Sequence, residues 1–245
     1  MNISEKIFSL RKKLHDHNYR YYVLDDPLIS DYDFDMMLKE LEHLENENPE
    51  YFDVNSPTQR VGGSVTKSFI TSVHSTPMYS LDNSYSLEDL KEWEKRIKKI
   101  IDTPLEYTCE LKFDGVSINL TYNNGEFVRA VTRGDGVKGD DVTNNVKTIP
   151  TVPLKLRGDF RGEFEARGEI VIPISGFNKL NLSRVENGEE PFKNPRNTAS
   201  GSLKLQDSKE VSKRPLECLL YSVEDSKMFN NHLEFLKNAK SYGFN

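Results

Sequence analysis

A lysine stands between two carboxylates in the segment Cys109-Glu110-Leu111-Lys112-Phe113-Asp114-Gly115. A lysine amine can act as a covalent nucleophile when neighbouring groups orient it, and a glycine lets a substrate approach the backbone closely. The same residues are also typical of a solvated edge strand that carries a surface ion pair. The segment alone therefore leaves two interpretations open, a nucleophile and an ordinary surface.

The residue types around Lys112 favour a β-strand from Thr108 to Ile118. Side chains alternate between the two faces of a strand, so Glu110, Lys112 and Asp114 would share one face and the apolar residues between them the other. We therefore expect the lysine to lie on a half-buried strand, with both carboxylates beside it.

Composition excludes several classes of protein. The chain has 245 residues, of which 36% are hydrophobic and 29% charged, and it contains no apolar run near the ~20 residues that a membrane span needs. We expect a cytoplasmic protein without a membrane segment or a signal peptide. The two cysteines, Cys109 and Cys218, are too few for a disulfide framework or a zinc site, and we expect reduced thiols in the core.

The charge of the chain is unevenly distributed. The net charge is −6, and residues 1–70 hold 13 acidic against 8 basic residues. This sign disfavours a protein that holds nucleic acid by charge alone. An acidic pocket near the N-terminus suits a cationic small molecule better than a phosphate backbone.

Two amphipathic helices precede the lysine segment. The first is predicted from an N-cap at Ser4 to about His15, and the second from a capping box at Ser30 to about Glu47. Three tyrosines and a proline stand between them, namely Tyr19, Tyr21, Tyr22 and Pro27. The pattern predicts a helical hairpin.

Turn formers, including Gly62-Gly63-Ser64, gather in residues 52–85 and predict a connection between domains. A capping box at Ser86 then begins a third helix. After the lysine segment, Asn123-Asn124-Gly125 predicts the turn of a β-hairpin. Two more strands are predicted, Phe164–Ile172 and Leu216–Val223, and a final helix is predicted at 231–242. No G-x-G-x-x-G fingerprint follows a strand, so the sequence does not indicate a Rossmann fold.

The lysine segment resembles the nucleotidyltransferase motif of bacterial NAD-dependent DNA ligases. Three other stretches also resemble that family: Tyr21 to Asp35, His74 to Asn83, and Asn194 to Leu203. The first is similar to the Ia domain, which recognises nicotinamide mononucleotide (NMN). The resemblance covers the whole chain in order.

The resemblance implies an α+β architecture. Residues 1–68 would form a small helical Ia domain with its linker. Residues 69–245 would form an antiparallel β-rich nucleotidyltransferase domain of the ATP-grasp-like DNA ligase and capping-enzyme type, with flanking helices and an incomplete C-terminus. Zinc would occur only in the family's C-terminal part, beyond this chain.

The resemblance also implies a reaction. Lys112 would attack the α-phosphate of NAD, release NMN and retain AMP, which then passes to the 5′-phosphate of a DNA nick during replication and repair. The implied cofactors are NAD and Mg²⁺. The implied partner of the full-length protein is nicked double-stranded DNA, and a monomer is expected.

Roles follow residue by residue from the matched motifs. Lys112 and Asp114 are the implied catalytic residues, and no metal ligand is assigned. The implied cofactor-binding residues are Tyr21, Tyr22, Asp31, Tyr32, Asp33, Phe34, Asp35, Ser80, Leu81, Glu110, Arg133, Glu169 and Arg196. Three residues depart from the family pattern: Tyr22 and Phe34 replace His and Tyr, and Lys204 replaces Arg.

Two other functions stay open. A truncated NAD- or NMN-binding module would capture the nucleotide without turnover. An ATP-dependent ligase or capping enzyme would share the K-x-D-G motif but not the Ia hairpin. For this chain by itself we expect binding of NAD or NMN, no nick sealing, and self-adenylation that is weak or absent.

Overall fold

The computed structural model describes residues 2–24, 26–60, 68–224 and 228–245, apart from the side chain of Asp31. The predicted Gly62-Gly63-Ser64 connection lies outside these residues. A helical hairpin at the N-terminus is followed by antiparallel sheets with helices around them. The mixed α+β prediction is therefore confirmed.

The helices of the described residues are α1 (Ile3–Tyr19), α2 (Asp31–Glu47), α3 (Leu87–Lys98), α4 (Thr143–Val146), α5 (Ile174–Glu186), α6 (Pro195–Leu203), α7 (Ser208–Ser212) and α8 (His232–Ser241). The strands are β1 (Thr71–Val73), β2 (Val116–Asn123), β3 (Glu126–Thr132), β4 (Lys138–Asp140), β5 (Glu163–Val171) and β6 (Glu217–Val223). Short π and 3-10 turns occupy Arg20–Leu24, Pro49–Tyr51 and Pro57–Arg60.

The hairpin of α1 and α2 differs from the prediction at both ends of α1. Asn2, not Ser4, caps the helix, because its side chain accepts from the Glu5 N–H while the Glu5 carboxylate accepts from the Asn2 N–H. The helix also runs past His15 into the π turn. The N-cap of α2 at Ser30 is confirmed. Apolar side chains of both helices form a small core: Ile7, Leu10, Leu14 and Leu41.

A four-stranded antiparallel sheet in the order β3-β2-β5-β6 carries the main core. The predicted hairpin of β2 and β3 is confirmed. Its turn places Asn124 at φ 49° and Gly125 at φ 79°, a left-handed conformation that Asn and Gly adopt more readily than other residues. A smaller sheet pairs β1 with β4, and no sequence signal had indicated it.

The prediction of a strand through Lys112 is wrong, because β2 begins at Val116. Val116 pairs with Ile170 on β5, and β5 ends one residue later. Pro173, which has no N–H to donate, then leads directly into α5. Residues 108–114 consequently have no neighbouring strand, and Leu111 is 79% exposed instead of packed against a face of the sheet.

Arg60 joins the N-terminal part of the chain to residues 147–152, which follow α4. Its guanidinium donates to the carbonyl oxygens of Lys147, Ile149 and Val152 at 2.8 to 3.2 Å. Burial lowers the pKa of Arg60 to about 10. A second contact pairs Arg157 with Asp16 at 3.0 Å. The predicted domain boundary at 68/69 follows residues 61–67, which lie outside the described parts, and stays a prediction.

The two cysteines lie in different environments. Cys218 is buried on β6, and burial raises the pKa of its thiol to about 12. Cys109 is exposed, so its predicted core position is wrong for the same reason as the strand through Lys112. Within the described residues, no helix is both long and apolar enough to cross a membrane.

Candidate functional site

Glu169 lies at the centre of a group of predicted site residues. It is half-buried on β5, and its carboxylate accepts a hydrogen bond from the backbone N–H of Gly115 at 3.1 Å. Burial raises the pKa of Glu169, while this hydrogen bond and the charges of Lys112, Arg133 and Arg196 oppose the rise. The charges of three cationic side chains therefore act on one carboxylate next to the lysine segment.

The lysine segment has no β-ladder, and ion pairs of its side chains connect it to the rest of the structure instead. The Glu110 carboxylate lies 2.8 Å from Nε2 of His232, at the first residue of α8. Asp114 pairs with Nε of Arg196 on α6 at 3.2 Å. The two contacts connect the residues on either side of Lys112 to α6 and α8, and the lysine side chain itself is exposed.

The loop after β3 brings Arg133 to Ser80. Nη1 of Arg133 donates to the Ser80 hydroxyl at 3.2 Å, and the Arg133 N–H donates to the Ser117 carbonyl oxygen at 3.0 Å. Nε2 of buried His74 lies 3.2 Å from the Arg133 carbonyl oxygen. Gly134 follows with φ 57°, and a Cβ there would lie 2.0 Å from the Lys138 carbonyl oxygen. Only glycine fits at position 134, and the turn that it allows places Arg133 next to Ser80.

Two other predicted positions lie at the edge of this group. Leu81 is exposed. Lys204, which departs from the family pattern, pairs with Asp140 at 2.7 Å. The lysine ammonium keeps the positive charge in this ion pair but cannot form the bidentate hydrogen bonds of an arginine.

A cavity of about 330 Å³ lies in the helical hairpin, at the π turn between α1 and α2. π turns interrupt α-helices frequently at functional sites. The Tyr21 and Tyr22 rings there lie 4.8 Å apart at 62°, edge to face. The cavity is lined by His17, Asn18, Tyr21, Tyr22, Pro27, Leu28, Ile29, Ser30, Phe34 and Asp35.

The cavity includes only some of the predicted hairpin residues. Tyr21, Tyr22, Phe34 and Asp35 line it, and the Asp31 side chain lies outside the described residues. Tyr32 is 72% exposed and does not line the cavity.

Asp33 does not line the cavity either. Its N–H and carboxylate both bond the Ser30 hydroxyl at the start of α2, so its position is that of a capping residue. None of the residues around Glu169 lines the cavity, so the structure presents two separate groups.

Sequence reasoning missed several residues at these two groups. His232 and Tyr221 are two of them, the latter with its hydroxyl 2.7 Å from that of Ser117. His17 lines the hairpin cavity. No local pattern in the sequence marks His232 or Tyr221, because their contacts join residues more than a hundred positions apart. His17 lies only four residues before Tyr21, so its nearness in sequence to the tyrosines is the one signal that could have indicated it.

The chemistry that these groups can support is recognition of a nucleotide. Arginine and lysine side chains suit phosphate oxygens, and a carboxylate suits ribose hydroxyls. Aromatic rings beside an acidic residue suit a flat cation. Among the described residues, no three His, Cys, Asp or Glu side chains converge as a metal cluster.

Comparison with known proteins agrees with this chemistry. Residues 66–245 match the family described as the NAD-dependent DNA ligase adenylation domain, and residues 1–62 match the DNA ligase-like, N-terminal NAD+-binding domain. Proteins named DNA ligase from Flavobacterium psychrophilum, Christiangramia forsetii and Bacteroides fragilis are 63%, 61% and 50% identical to the chain.

Each alignment covers all of this chain and 37% of the relative. The chain thus spans a little over a third of the length of these relatives. Because the two family matches together cover nearly the whole sequence, the chain belongs to the family of NAD-dependent DNA ligases.

Proposed function

We propose that this chain carries out the adenylation step of an NAD-dependent DNA ligase. The Lys112 nitrogen attacks the AMP-side phosphorus of NAD, and a phosphorus–nitrogen bond forms. The bond from that phosphorus to the bridging oxygen breaks, and NMN leaves with the bonding electrons. Lys112 is exposed, so the proton that its amine gives up passes to water.

The observation that carries the proposal is the hydrogen bond from the Gly115 N–H to the Glu169 carboxylate. The charges of Lys112, Arg133 and Arg196 also act on this carboxylate. Negative charge builds on the phosphate and on the leaving group during the reaction, and cations fixed in advance stabilise that charge. Glu169 keeps the cations together before the nucleotide binds. Its carboxylate also fixes Gly115, three residues after the nucleophile.

The remaining residues of this group receive supporting roles. Asp114 orients Arg196 through their ion pair. Ser80 and Leu81 contact the adenosine half of NAD, and Glu110 also binds the nucleotide. Glu169 accepts hydrogen bonds from the ribose once the nucleotide is bound.

The hairpin cavity receives the NMN half of NAD. Tyr21 and Tyr22 offer aromatic faces to the cationic nicotinamide ring. Asp35, with Asp31, accepts from the NMN ribose. Phe34 lines the cavity but has no hydroxyl to donate. Tyr32 and Asp33 support the start of α2 from outside the cavity.

Mg²⁺ would be held chiefly by the phosphates of the nucleotide. Magnesium commonly binds through one or two carboxylates together with substrate phosphates, and the described residues offer no cluster of three ligands. The ion would neutralise phosphoryl charge. No step above depends on it.

The whole ligase would pass AMP to the 5′-phosphate of a nick in double-stranded DNA and seal it, in replication and repair. We assign it to the cytoplasm as a monomer. Within it, residues 1–68 would act as the NMN-recognition domain and residues 69–245 as part of the adenylation domain.

Intact-mass spectrometry tests the proposal against its alternatives. The purified chain is incubated with NAD or with ATP, and binding of both nucleotides is measured by calorimetry. We expect weak AMP addition from NAD, at low occupancy, and none from ATP. NAD binding without any AMP addition would support the binding module instead, and equal labelling by ATP would support an ATP-dependent enzyme.

A further inference from the structure

The hairpin cavity contains an imidazole for which the proposed function has no role. His17 lines the cavity beside the two tyrosines. Its Nδ1 atom is buried and has no hydrogen-bond partner within the described residues. A buried N–H without an acceptor is costly, which disfavours a hydrogen on Nδ1 and favours one on Nε2. The other edge of His17 is therefore a hydrogen-bond donor.

The charges of the cavity show what such a donor could recognise. Among the ten described residues that line it, His17 is the one whose side chain can carry a positive charge, and Asp35 is the acidic one. Arg20 lies nearby in sequence, but its guanidinium pairs with Asp16 at 3.2 Å and with Asp26 at 3.1 Å. The cavity thus pairs one acidic group with one basic donor.

NMN carries the matching pair of charges, a pyridinium cation and a phosphate anion. His17 and Tyr21 both line the cavity, so the donor and the ring can contact the same ligand. A nicotinamide ring against the tyrosines leaves its phosphate as the group that still requires a donor. Phosphate oxygens accept strong hydrogen bonds from imidazole N–H groups.

We infer that His17 is a ligand-binding residue of this cavity and that its Nε2–H donates a hydrogen bond to the phosphate of NMN. The inference rests on the proposed function, because it takes NMN as the occupant of the cavity. It adds a residue that discriminates between NMN and a nicotinamide compound without phosphate.

Calorimetry with two probes tests this inference. NMN and nicotinamide riboside, which lacks the phosphate, are titrated into the Lys112→Ala chain, since a chain that carries AMP on Lys112 would consume NMN. His17→Ala and His17→Gln are compared in that background. His43→Ala is the matched control, because His43 is an exposed histidine on α2 that does not line the cavity.

We expect His17→Ala to weaken NMN binding by about tenfold to a hundredfold, the loss expected for one hydrogen bond to a charged group. His17→Gln should restore part of it, because the amide keeps an N–H donor. Binding of nicotinamide riboside should stay unchanged in both variants, which also shows that the cavity is folded. His43→Ala should alter neither titration.

Two results would overturn the inference and leave the proposed function intact. One is NMN binding that does not change in His17→Ala. The other is an equal loss for both probes, which would place His17 against the ring or ribose. If the parent chain binds neither probe, the proposed NMN site itself fails, and the inference fails with it.

Discussion

The backbone N–H of Gly115 donates a hydrogen bond to the Glu169 carboxylate at 3.1 Å, where β2 begins beside β5. This contact joins the lysine segment to the carboxylate whose pKa is raised by burial and lowered by the charges of Lys112, Arg133 and Arg196. Gly115 is close to β5, and a Cβ at this position would lie 2.2 Å from the Ile170 carbonyl oxygen. The position therefore requires glycine.

Gly115→Ala should destabilise the fold and displace Lys112, because a backbone oxygen cannot move away from the added methyl group. We expect a loss of about 1–3 kcal/mol in the free energy of unfolding, measured by chemical denaturation. Gly201→Ala on α6 is the matched control, since a Cβ there meets nothing within 4 Å. Equal stability of the two variants would contradict the account.

Glu169→Gln should leave the fold intact and slow AMP transfer from NAD. The amide keeps the size of the side chain but removes the charge that faces Lys112, Arg133 and Arg196. We expect a rate lower by about 10², measured as incorporation of labelled AMP. Glu163→Gln, at the exposed end of the same strand, should have no effect, and a similar loss there would refute a specific role for Glu169.

Much of the fold could be predicted from local signals. The turn of β2 and β3 depends on two adjacent residues, Asn124 and Gly125, and the N-cap of α2 on Ser30. Both were found because the sequence that forms them is contiguous. The proposed nucleotide-site residues also come from short contiguous motifs, and their roles stay predictions.

The wrong or missed predictions depend on contacts between residues that are far apart in the sequence. The strand through Lys112 fails because its neighbour β5 ends just before Pro173, a fact invisible in the lysine segment itself. The contact of His232 with Glu110 joins positions 122 residues apart. Arg60 looked like part of a surface linker, yet it is buried against carbonyl groups almost ninety residues away.

Arg60→Met should separate the N-terminal part from the segment after α4. The change removes hydrogen bonds to three carbonyl groups and leaves those of Lys147 and Val152 without this donor, whereas Ile149 still accepts from the Val152 N–H. We expect a loss of about 3 kcal/mol or more in the free energy of unfolding, measured by urea denaturation. Arg161→Met is the control, because the Arg161 side chain is 87% exposed. A loss no larger than that of the control would rule out the predicted role.

His15 should make the stability of the chain depend on pH. Burial, with the charge of Arg60 next in importance, lowers the pKa of His15 from 6.5 to about 4. The unfolded chain therefore takes up a proton at a pH where the folded chain does not, and protonation favours unfolding. The contribution of His15 is complete above pH 6.5 and decreases between pH 6.5 and 4, by about 3 kcal/mol in total.

Urea denaturation at a series of pH values measures this effect. His15→Gln cannot take up the proton, so its stability should fall less steeply than that of the parent chain across this window. His43→Gln, an exposed histidine on α2, should follow the parent chain. Parallel curves for the parent and His15→Gln would show that the pKa of His15 is the same in the folded and the unfolded chain, which would contradict the prediction.

The central claim is that Lys112 is the residue that becomes adenylated, and peptide mapping of the AMP tests it most directly. The chain is incubated with NAD, digested and sequenced by mass spectrometry, with Lys112→Arg and Lys204→Arg prepared alongside. The account predicts AMP on Lys112 alone, at low occupancy, lost on addition of NMN, absent from Lys112→Arg and retained in Lys204→Arg. AMP on another residue, or AMP retained in Lys112→Arg, would contradict it.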